Sequence, residues 1–274
     1  SMPLCARANC EHTSNDCMAV SLFSRVDFIG RLGDRWYYHT TGDSQYEGTF
    51  YQCDLNRENE KPIGDFPYTS GTTGDTVSVF YEHYCVTVGE DLSFDEKTEE
   101  WEGVASGIYR FDLKNGKTEA LTEEKEYARP AYAVYGLWEN SLIYSEWNGE
   151  KRMIKRMDLD TKKQEVLLED NDVLTGKLQG QTLLCSVEDG LIVLDLETGK
   201  KEEVETNGVA VDCFWDDQLK TFIIYGEEPE TDENGYTIYP AQIYQYLDGG
   251  DVHLLKSDYE DFVFPFARVE DTLI

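Results

Sequence analysis

The sequence has few basic residues. Its 274 residues include 24 Lys and Arg against 55 Asp and Glu, which gives a formal net charge of −31 at pH 7. Binding to nucleic acids or to anionic membrane surfaces depends on clustered Lys and Arg, so neither is an expected partner. Such a surface instead attracts a cationic partner or divalent cations, or it serves only to keep the protein well solvated.

Long apolar runs are also absent, as is the 3.6-residue periodicity of amphipathic helices. No window reaches the roughly 18 uninterrupted apolar residues of a membrane span, so no transmembrane segment is predicted. Tyr (18), Phe (12) and Trp (5) are abundant, and apolar residues alternate with polar ones. Aromatic residues and period-two alternation favour β-strands, so the sequence predicts an all-β protein.

Signatures of nucleophilic or metal-dependent hydrolases are missing. The chain contains neither a Gly-x-Ser-x-Gly nucleophile elbow nor a His-Glu-x-x-His metal motif. Carboxylates that could serve a glycosidase are available, for example Asp91 and Glu146, but in so acidic a chain they single out no site. No catalytic residues are therefore predicted.

The sequence does contain a repeated segment. Residues 107–121 and 190–204 each combine an alternating strand, a turn with Asn-Gly or Thr-Gly, and a second short strand. Looser copies lie at residues 50–55, 154–168 and 243–255. The position before the common Leu is an aspartate in four of the copies: Asp54, Asp112, Asp158 and Asp195.

The spacing of these copies predicts a β-propeller, because it averages close to the roughly 40 to 50 residues of a four-stranded blade. About six blades are expected over residues 21–274, with five or seven left open, after a Cys/His-rich segment at residues 1–20. Strands are predicted at Tyr132–Trp138, Ser141–Trp147 and Thr182–Val187, among others. The last blade is expected to begin at residues 262–269, and residues 2–4 are expected to close it as an outer strand.

Two links between second and third strands are longer than the others, at residues 91–106 and 226–240. Loops of this length are usually functional or mobile, and links between equivalent strands are expected to emerge on one face. Aromatic rings beside carboxylates suit carbohydrate stacking or cation–π contact with a basic peptide. The predicted ligand-binding residues are Tyr46, Phe94, Trp101, Trp147, Tyr236 and Tyr239.

The first seventeen residues hold a possible metal site. Cys5, Cys10, His12 and Cys17 could supply a complete tetrahedral Zn²⁺ shell, and a closed four-ligand shell would make the zinc structural. A disulfide, for example between Cys10 and Cys17, and free thiols remain alternatives. Cys53, Cys85, Cys185 and Cys213 lie in strand-like runs and are expected to be small buried side chains.

At this point the chain resembles a known group of proteins. Pro3-Leu4-Cys5, Cys10-Glu11-His12, Asp16-Cys17 and Ala19, followed by repeats with Asp-Leu-x-Thr-Gly-Lys turns, are similar to secreted or lipid-anchored β-propeller proteins of anaerobic Firmicutes. Members are mostly of unknown function. The resemblance implies an extracytoplasmic location and a binding role, and it transfers no catalytic residues.

The predicted function is that of a non-enzymatic binding module, extracellular or at the cell surface, for a carbohydrate or a protein or peptide ligand. Ser1-Met2 is interpreted as a cloning remnant, so that any signal or anchor is expected to have been removed. The protein is expected to be a monomer. The alternatives are a carbohydrate-active hydrolase or lyase with acidic residues near the propeller axis, and a structural surface domain.

Overall fold

The computed structural model describes the chain from Val26 to Leu273 with gaps. The described residues are 26–41, 48–56, 58–66, 68–70, 76–95, 100–128, 130–169, 173–187, 190–205, 210–214, 221–225, 230–231, 237–238, 241–246, 252–259, 268–269 and 272–273. All regular secondary structure in these residues is β-strand. None of them forms a helix that could cross a membrane.

The strands form successive sheets in chain order. The first sheet contains β1 (Val26–Leu32), β2 (Arg35–Thr41), β3 (Gly48–Asp54) and β4 (Lys61–Phe66). The second contains β5 (Thr69–Ser70), β6 (Val79–Tyr81), β7 (Tyr84–Asp95), β8 (Glu100–Asp112), β9 (Thr118–Ala120) and β10 (Lys125–Tyr127). The third contains β11 (Tyr132–Trp138), β12 (Ser141–Trp147), β13 (Arg152–Asp158) and β14 (Gln164–Leu168).

The rest of the chain follows the same plan. The fourth sheet contains β15 (Thr175–Gln179), β16 (Thr182–Val187), β17 (Gly190–Asp195) and β18 (Lys201–Glu205). The fifth begins with β19 (Ala210–Phe214) and β20 (Thr221–Tyr225), which are followed by a short pair, β21 (Glu230–Thr231) and β22 (Thr237–Ile238). It ends with β23 (Ala241–Tyr246) and β24 (Val252–Tyr259), and a last pair follows, β25 (Arg268–Val269) and β26 (Thr272–Leu273).

Four of these sheets are four-stranded, with neighbouring strands in chain order and antiparallel pairing wherever the register is given. Repeated antiparallel four-stranded sheets are the blades of a β-propeller. The predicted all-β propeller class is therefore confirmed. The blade number and closure by the N-terminal segment stay predictions, because residues 2–4 and most of residues 260–274 lie outside the described part.

The repeated aspartate organises the turn between the last two strands of a blade. Asp195 Oδ1 accepts hydrogen bonds from Glu197 N, Thr198 N and Thr198 Oγ1 at 2.7–3.1 Å. The same side-chain-to-backbone pattern is built on three other aspartates: Asp54, Asp112 and Asp158. An aspartate that bonds the backbone two or three residues ahead closes a tight turn. The repeat in the sequence is therefore a repeat of turn chemistry.

These turns also tie the two hairpins of a blade together. In three sheets, the backbone N–H of the residue after the aspartate donates to the turn that joins β6 to β7, β11 to β12 or β15 to β16. The bonds are Leu113 N to His83 O, Leu159 N to Asn140 O and Leu196 N to Gln181 O, at 2.9–3.1 Å. The Asp-Leu dipeptide that the sequence repeats thus stabilises the end of these three sheets.

Backbone contacts divide the chain into two compact units. The first comprises Ser1–Gly136 and Tyr144–Gly149, and the second Leu137–Ile143 and Glu150–Ile274. In the first unit, Phe50 stacks on Phe111 with ring centroids 4.0 Å apart, and Phe66 meets Phe50 edge-on at 5.8 Å. All three side chains are fully buried, and each such burial contributes about 1.5–3 kcal/mol.

The core of the second unit is aliphatic. β16 and β17 are buried over nearly their whole length, with Leu183, Leu184, Ile192 and Leu194 each at most 5% exposed. Cys185 lies among them, and like Cys53 and Cys85 it is a buried cysteine outside any disulfide, as expected from its strand position. Cys213 lies in β19, where only the backbone is described.

One expectation about the loops is wrong. Residues 91–106 do not form a long loop, because β7 and β8 remain paired from Tyr84 and Asp112 as far as Asp95 and Glu100. The link is an extended hairpin, and only residues 96–99 separate its strands. Acidic residues, which this stretch contains, are generally depleted in strands. Cross-strand pairing overrides that local preference here.

Candidate functional site

The longest strands among the described residues form a hairpin that extends beyond the other strands of its sheet. β7 has 12 residues and β8 has 13, whereas the strands of the four-stranded sheets have 5 to 8. β5 pairs with β7 at Gly89 and Glu90, and β10 pairs with β8 from Val104 to Ser106. Beyond Glu90 and Ser106 lies the part that we call the arm, residues 91–95 and 100–105.

The outer part of the arm has no strand beside it among the described residues. β7 and β8 pair with each other and with β5, β6, β9 and β10, and none of these reaches residues 91–95 or 100–103. The backbone groups on both edges of the outer arm are therefore not used by described strands. Unpaired strand edges are templates for pairing with another chain.

The register of the arm brings acidic residues together. Asp95 stands directly opposite Glu100, and Phe94 stands directly opposite Trp101. Like charges at directly opposed positions destabilise an antiparallel pair. The register shifts between Ser93 and Phe94, so Glu102 is an extra residue on β8, which is the arrangement of a β-bulge.

The base of the arm is held by a buried polar row. Glu90 of β7 pairs in register with Ser106 of β8, which in turn pairs with Lys125 of β10. Glu90 is 1% exposed and Ser106 is fully buried. Ser106 Oγ accepts a hydrogen bond from the backbone N–H of Ala131 at 2.8 Å. This bond connects the arm to the segment that enters β11.

Lys125 connects this buried polar row to β12 through an ion pair. Its Nζ lies 2.6 Å from Glu146 Oε1, and the Glu146 side chain is only 10% exposed. Burial alone would lower the pKa of Lys125, but the hydrogen bond and the negative charge of Glu146 raise it overall. A carboxylate buried to this extent needs such a cation, because an unpaired buried charge is strongly unfavourable.

Two tyrosines complete this polar cluster, which we define as Lys125, Tyr132, Tyr144 and Glu146. The Tyr132 hydroxyl donates to Glu123 O at 2.9 Å. The Tyr144 hydroxyl is buried, and no hydrogen-bond partner occurs for it among the described residues. The pKa of both phenols is raised, first by burial and then by the charge of Glu146. Both tyrosines therefore remain neutral at physiological pH.

A stacked pair of tyrosines lies against Gly89 of β7, next to the base of the arm. Tyr68 stacks on Tyr109 with ring centroids 4.3 Å apart, and both hydroxyls donate to Glu124 Oε1. Gly89 leaves the room for this stack, since a Cβ there would lie 2.8 Å from atoms of both rings. Burial and hydrogen bonding to Glu124 raise the pKa of Tyr109. Together with the polar cluster, this stack packs at the base of the arm.

Three of the six predicted ligand-binding residues lie in the described part of the chain, and three do not. Phe94 and Trp101 lie in the arm, and Trp147 ends β12 next to Glu146, where its backbone N–H donates to Ala131 O at 2.6 Å. Tyr46, Tyr236 and Tyr239 lie outside the described residues, as do the predicted zinc ligands Cys5, Cys10, His12 and Cys17. Ligand binding by any of these residues stays a prediction.

Within the described part of the chain, no group of three or more His, Cys, Asp or Glu side chains is arranged to hold a metal ion. The polar cluster was missed because Lys125 and Glu146 are 21 residues apart in the sequence and share no motif with Tyr132 and Tyr144. No local signal could have found the pairing of Lys125 with Glu146.

Comparisons with known proteins identify the fold and nothing finer. No protein-family model matches the chain, and no curated protein matches it. Among solved structures, dipeptidyl peptidase 4 from Porphyromonas gingivalis is similar, with a TM-score of 0.52, 8% identity, and coverage of 85% of this chain and 44% of that one.

Two further structures are similar at lower scores. The β-propeller domain of the Trilobed protease from Pyrococcus furiosus has a TM-score of 0.48 and 15% identity, with 84% of this chain and 70% of that one covered. TolB from Acinetobacter baumannii has a TM-score of 0.47 and 12% identity, with 80% of this chain covered. The chain spans about half of the TolB chain, 53% of its length.

Proposed function

We propose that the protein is a non-enzymatic binding module, extracellular or at the cell surface, that docks a protein or peptide ligand on the arm. The observation that carries this proposal is the length of the hairpin. β7 and β8 extend beyond the strands that flank them and leave backbone edges unused by any described strand. The buried polar row and the Tyr68–Tyr109 stack support it, because they fix the base from which the arm extends.

Peptide and glycan arrays probed with two proteins would test this function. One is the wild type, and the other is an arm-shortened variant in which an Asn-Gly turn replaces residues 93–103. This replacement joins Leu92 to Val104, which already oppose each other across the hairpin. We expect peptide ligands that bind the wild type and not the shortened protein. Equal binding by both proteins, or binding to glycans alone, would contradict the proposal.

A carbohydrate-active hydrolase or lyase is the second candidate. It is favoured by one observation, the burial of two carboxylates of the first unit, Glu90 and Glu146. The charge of Glu146 also acts on Tyr132 and Tyr144. Glycosidases use two carboxylates across a pocket. Hydrolysis of a polysaccharide by the wild type that Glu146→Gln abolishes would establish this alternative. Hydrolysis that persists unchanged in Glu146→Gln would eliminate Glu146 as its acid or base.

A structural zinc at Cys5, Cys10, His12 and Cys17 is a separate proposal, which rests on the ligand types and their spacing in the sequence. Metal analysis of protein purified without added zinc, combined with thiol counting, tests it. One zinc per chain that is lost in Cys10→Ser supports the site. A metal-free protein with two fewer titratable thiols than cysteines would show a disulfide instead.

A further inference from the structure

The arm carries acidic residues at positions where like charges weaken the pairing of its two strands. Asp95 and Glu100 oppose each other near the end of the hairpin, and Asp91 is exposed where the arm begins. Proteins usually place opposite charges at such positions, since like charges weaken the strand pair. Local conflicts of this kind are expected at functional sites, where a ligand supplies the missing interaction.

The two edges of the arm are not equivalent. On β8 the extra residue Glu102 interrupts the ladder, and bulges of this kind hinder pairing with a further strand. On β7, residues 91–95 continue the regular strand from the point where pairing with β5 ends at Glu90. An added strand would therefore meet regular backbone geometry at the β7 edge.

We infer that the arm takes up an extended, basic segment of a partner protein, which pairs as an additional strand along residues 91–95 of β7. Backbone hydrogen bonds would hold the segment, as in other cases of β-strand addition. Its Lys or Arg side chains would relieve the repulsion between Asp95 and Glu100 and would also pair with Asp91. The chain's net charge of −31 favours the approach of such a segment from a distance.

This inference rests on the proposed function, because it specifies the ligand of the same arm. Its probe is a fluorescein-labelled peptide of alternating lysine and valine, seven residues long, titrated into the full chain and followed by fluorescence anisotropy. A matched peptide with proline at the central position keeps the charge but lacks a backbone donor and cannot pair as a regular strand.

Three single substitutions remove the same amount of charge. Asp95→Asn and Glu100→Gln act in the arm, and Glu197→Gln is the control at an exposed turn of the second unit. We expect each arm substitution to weaken binding of the lysine–valine peptide by about three- to fivefold, the size of an exposed ion pair. We expect Glu197→Gln to leave it within about 1.5-fold, and the proline peptide to bind at least about tenfold more weakly.

The melting temperature distinguishes a binding role of Asp95 and Glu100 from a structural one. For a binding role, removing the repulsion between these two residues should leave the melting temperature unchanged or raise it, while binding weakens. Loss of binding that merely follows loss of stability would overturn the inference. So would equal binding of the proline peptide, or equal effects of all three substitutions, since these results mean attraction to the overall charge alone.

The arm-shortened variant separates failure of this inference from failure of the proposed function. If arrays yield peptides that require the arm but show no preference for basic residues, the binding function stands and the basic-strand inference is wrong. If the shortened variant binds every ligand as the wild type does, both are wrong. Arm-dependent binding with a preference for Lys and Arg supports both.

Discussion

Lys162 occupies a turn position where two equivalent turns have glycine. Its φ is 58°, and the corresponding φ angles of Gly116 and Gly199 are 71° and 70°. Each of the three residues donates its backbone N–H to the carbonyl of the repeat aspartate at 2.8 Å. The left-handed conformation costs a residue with a Cβ roughly 1–2 kcal/mol and costs glycine nothing. Lys162 is therefore strained where its counterparts are not.

Lys162→Gly should remove this strain. Against a relief of about 1–2 kcal/mol stands the greater conformational entropy of glycine in the unfolded chain, about 0.5–1 kcal/mol. The expected net stabilisation is about 0.5–1 kcal/mol, which corresponds to about 2 °C in melting temperature for a chain of this size. Urea denaturation followed by tryptophan fluorescence, with calorimetry in parallel, measures both quantities.

Gly199→Lys is the matched reverse substitution. A Cβ at Gly199 would meet no atom within 4 Å, so any loss of stability there comes from the backbone conformation and not from a clash. Gly116 would be a poor control, since a Cβ at that position would lie 2.5 Å from Ile63 O. Stabilisation by Gly199→Lys, or destabilisation by Lys162→Gly, would refute the strain argument.

Three further predictions concern the polar cluster and the turns. Tyr144→Phe should stabilise the protein by about 1 kcal/mol because it removes a buried hydroxyl without a partner among the described residues; a loss of 1 kcal/mol or more in urea denaturation would mean that the hydroxyl is hydrogen-bonded. Lys125→Met should lower the free energy of unfolding by about 1–3 kcal/mol, which is less than for a fully buried pair because Lys125 is 28% exposed. Lys125→Met combined with Glu146→Leu should recover most of this stability. A double variant that is no more stable than the single one would contradict the ion-pair account. Hydrogen bonds from the Thr198 backbone and hydroxyl lower the pKa of Asp195, so its stabilisation is complete above the unfolded pKa of about 3.9 and is lost as the pH falls through the folded value. The difference in urea midpoint between wild type and Asp195→Asn should therefore be larger at pH 7 than at pH 3, and an equal difference at both pH values would refute this sign.

Much of the blade pattern was predictable from the sequence. β11, β12 and β16 begin and end at the predicted residues, because each combines alternating or continuous apolar residues with a short polar turn. Glu139 lies in the two-residue turn between β11 and β12, where it adopts a φ of 53°. Local chemistry was sufficient for these strands, which short polar turns join to their neighbours.

The candidate site was not predictable in the same way. Residues 91–106 contain acidic residues that are rare in strands, and only the pairing of β7 with β8 makes them a regular hairpin. The Lys125–Glu146 ion pair joins β10 to β12, and nothing in the local sequence of either residue requires the other. The aromatic residues Phe94 and Trp101 were identified as candidates, but their opposed positions depend on the register of the arm.

Hydrogen–deuterium exchange of the full chain, with and without the lysine–valine peptide, tests the central claim that the arm is a docking edge. Without peptide, amides of residues 91–95 and 100–103 should exchange faster than those of Tyr84, Cys85 and Val86, which pair with β6 on one side and with β8 on the other. With peptide, amides of residues 91–95 should gain protection, while the turn at Asp195 should not change. Binding without added protection in the arm, or protection confined to other strands, would contradict the claim.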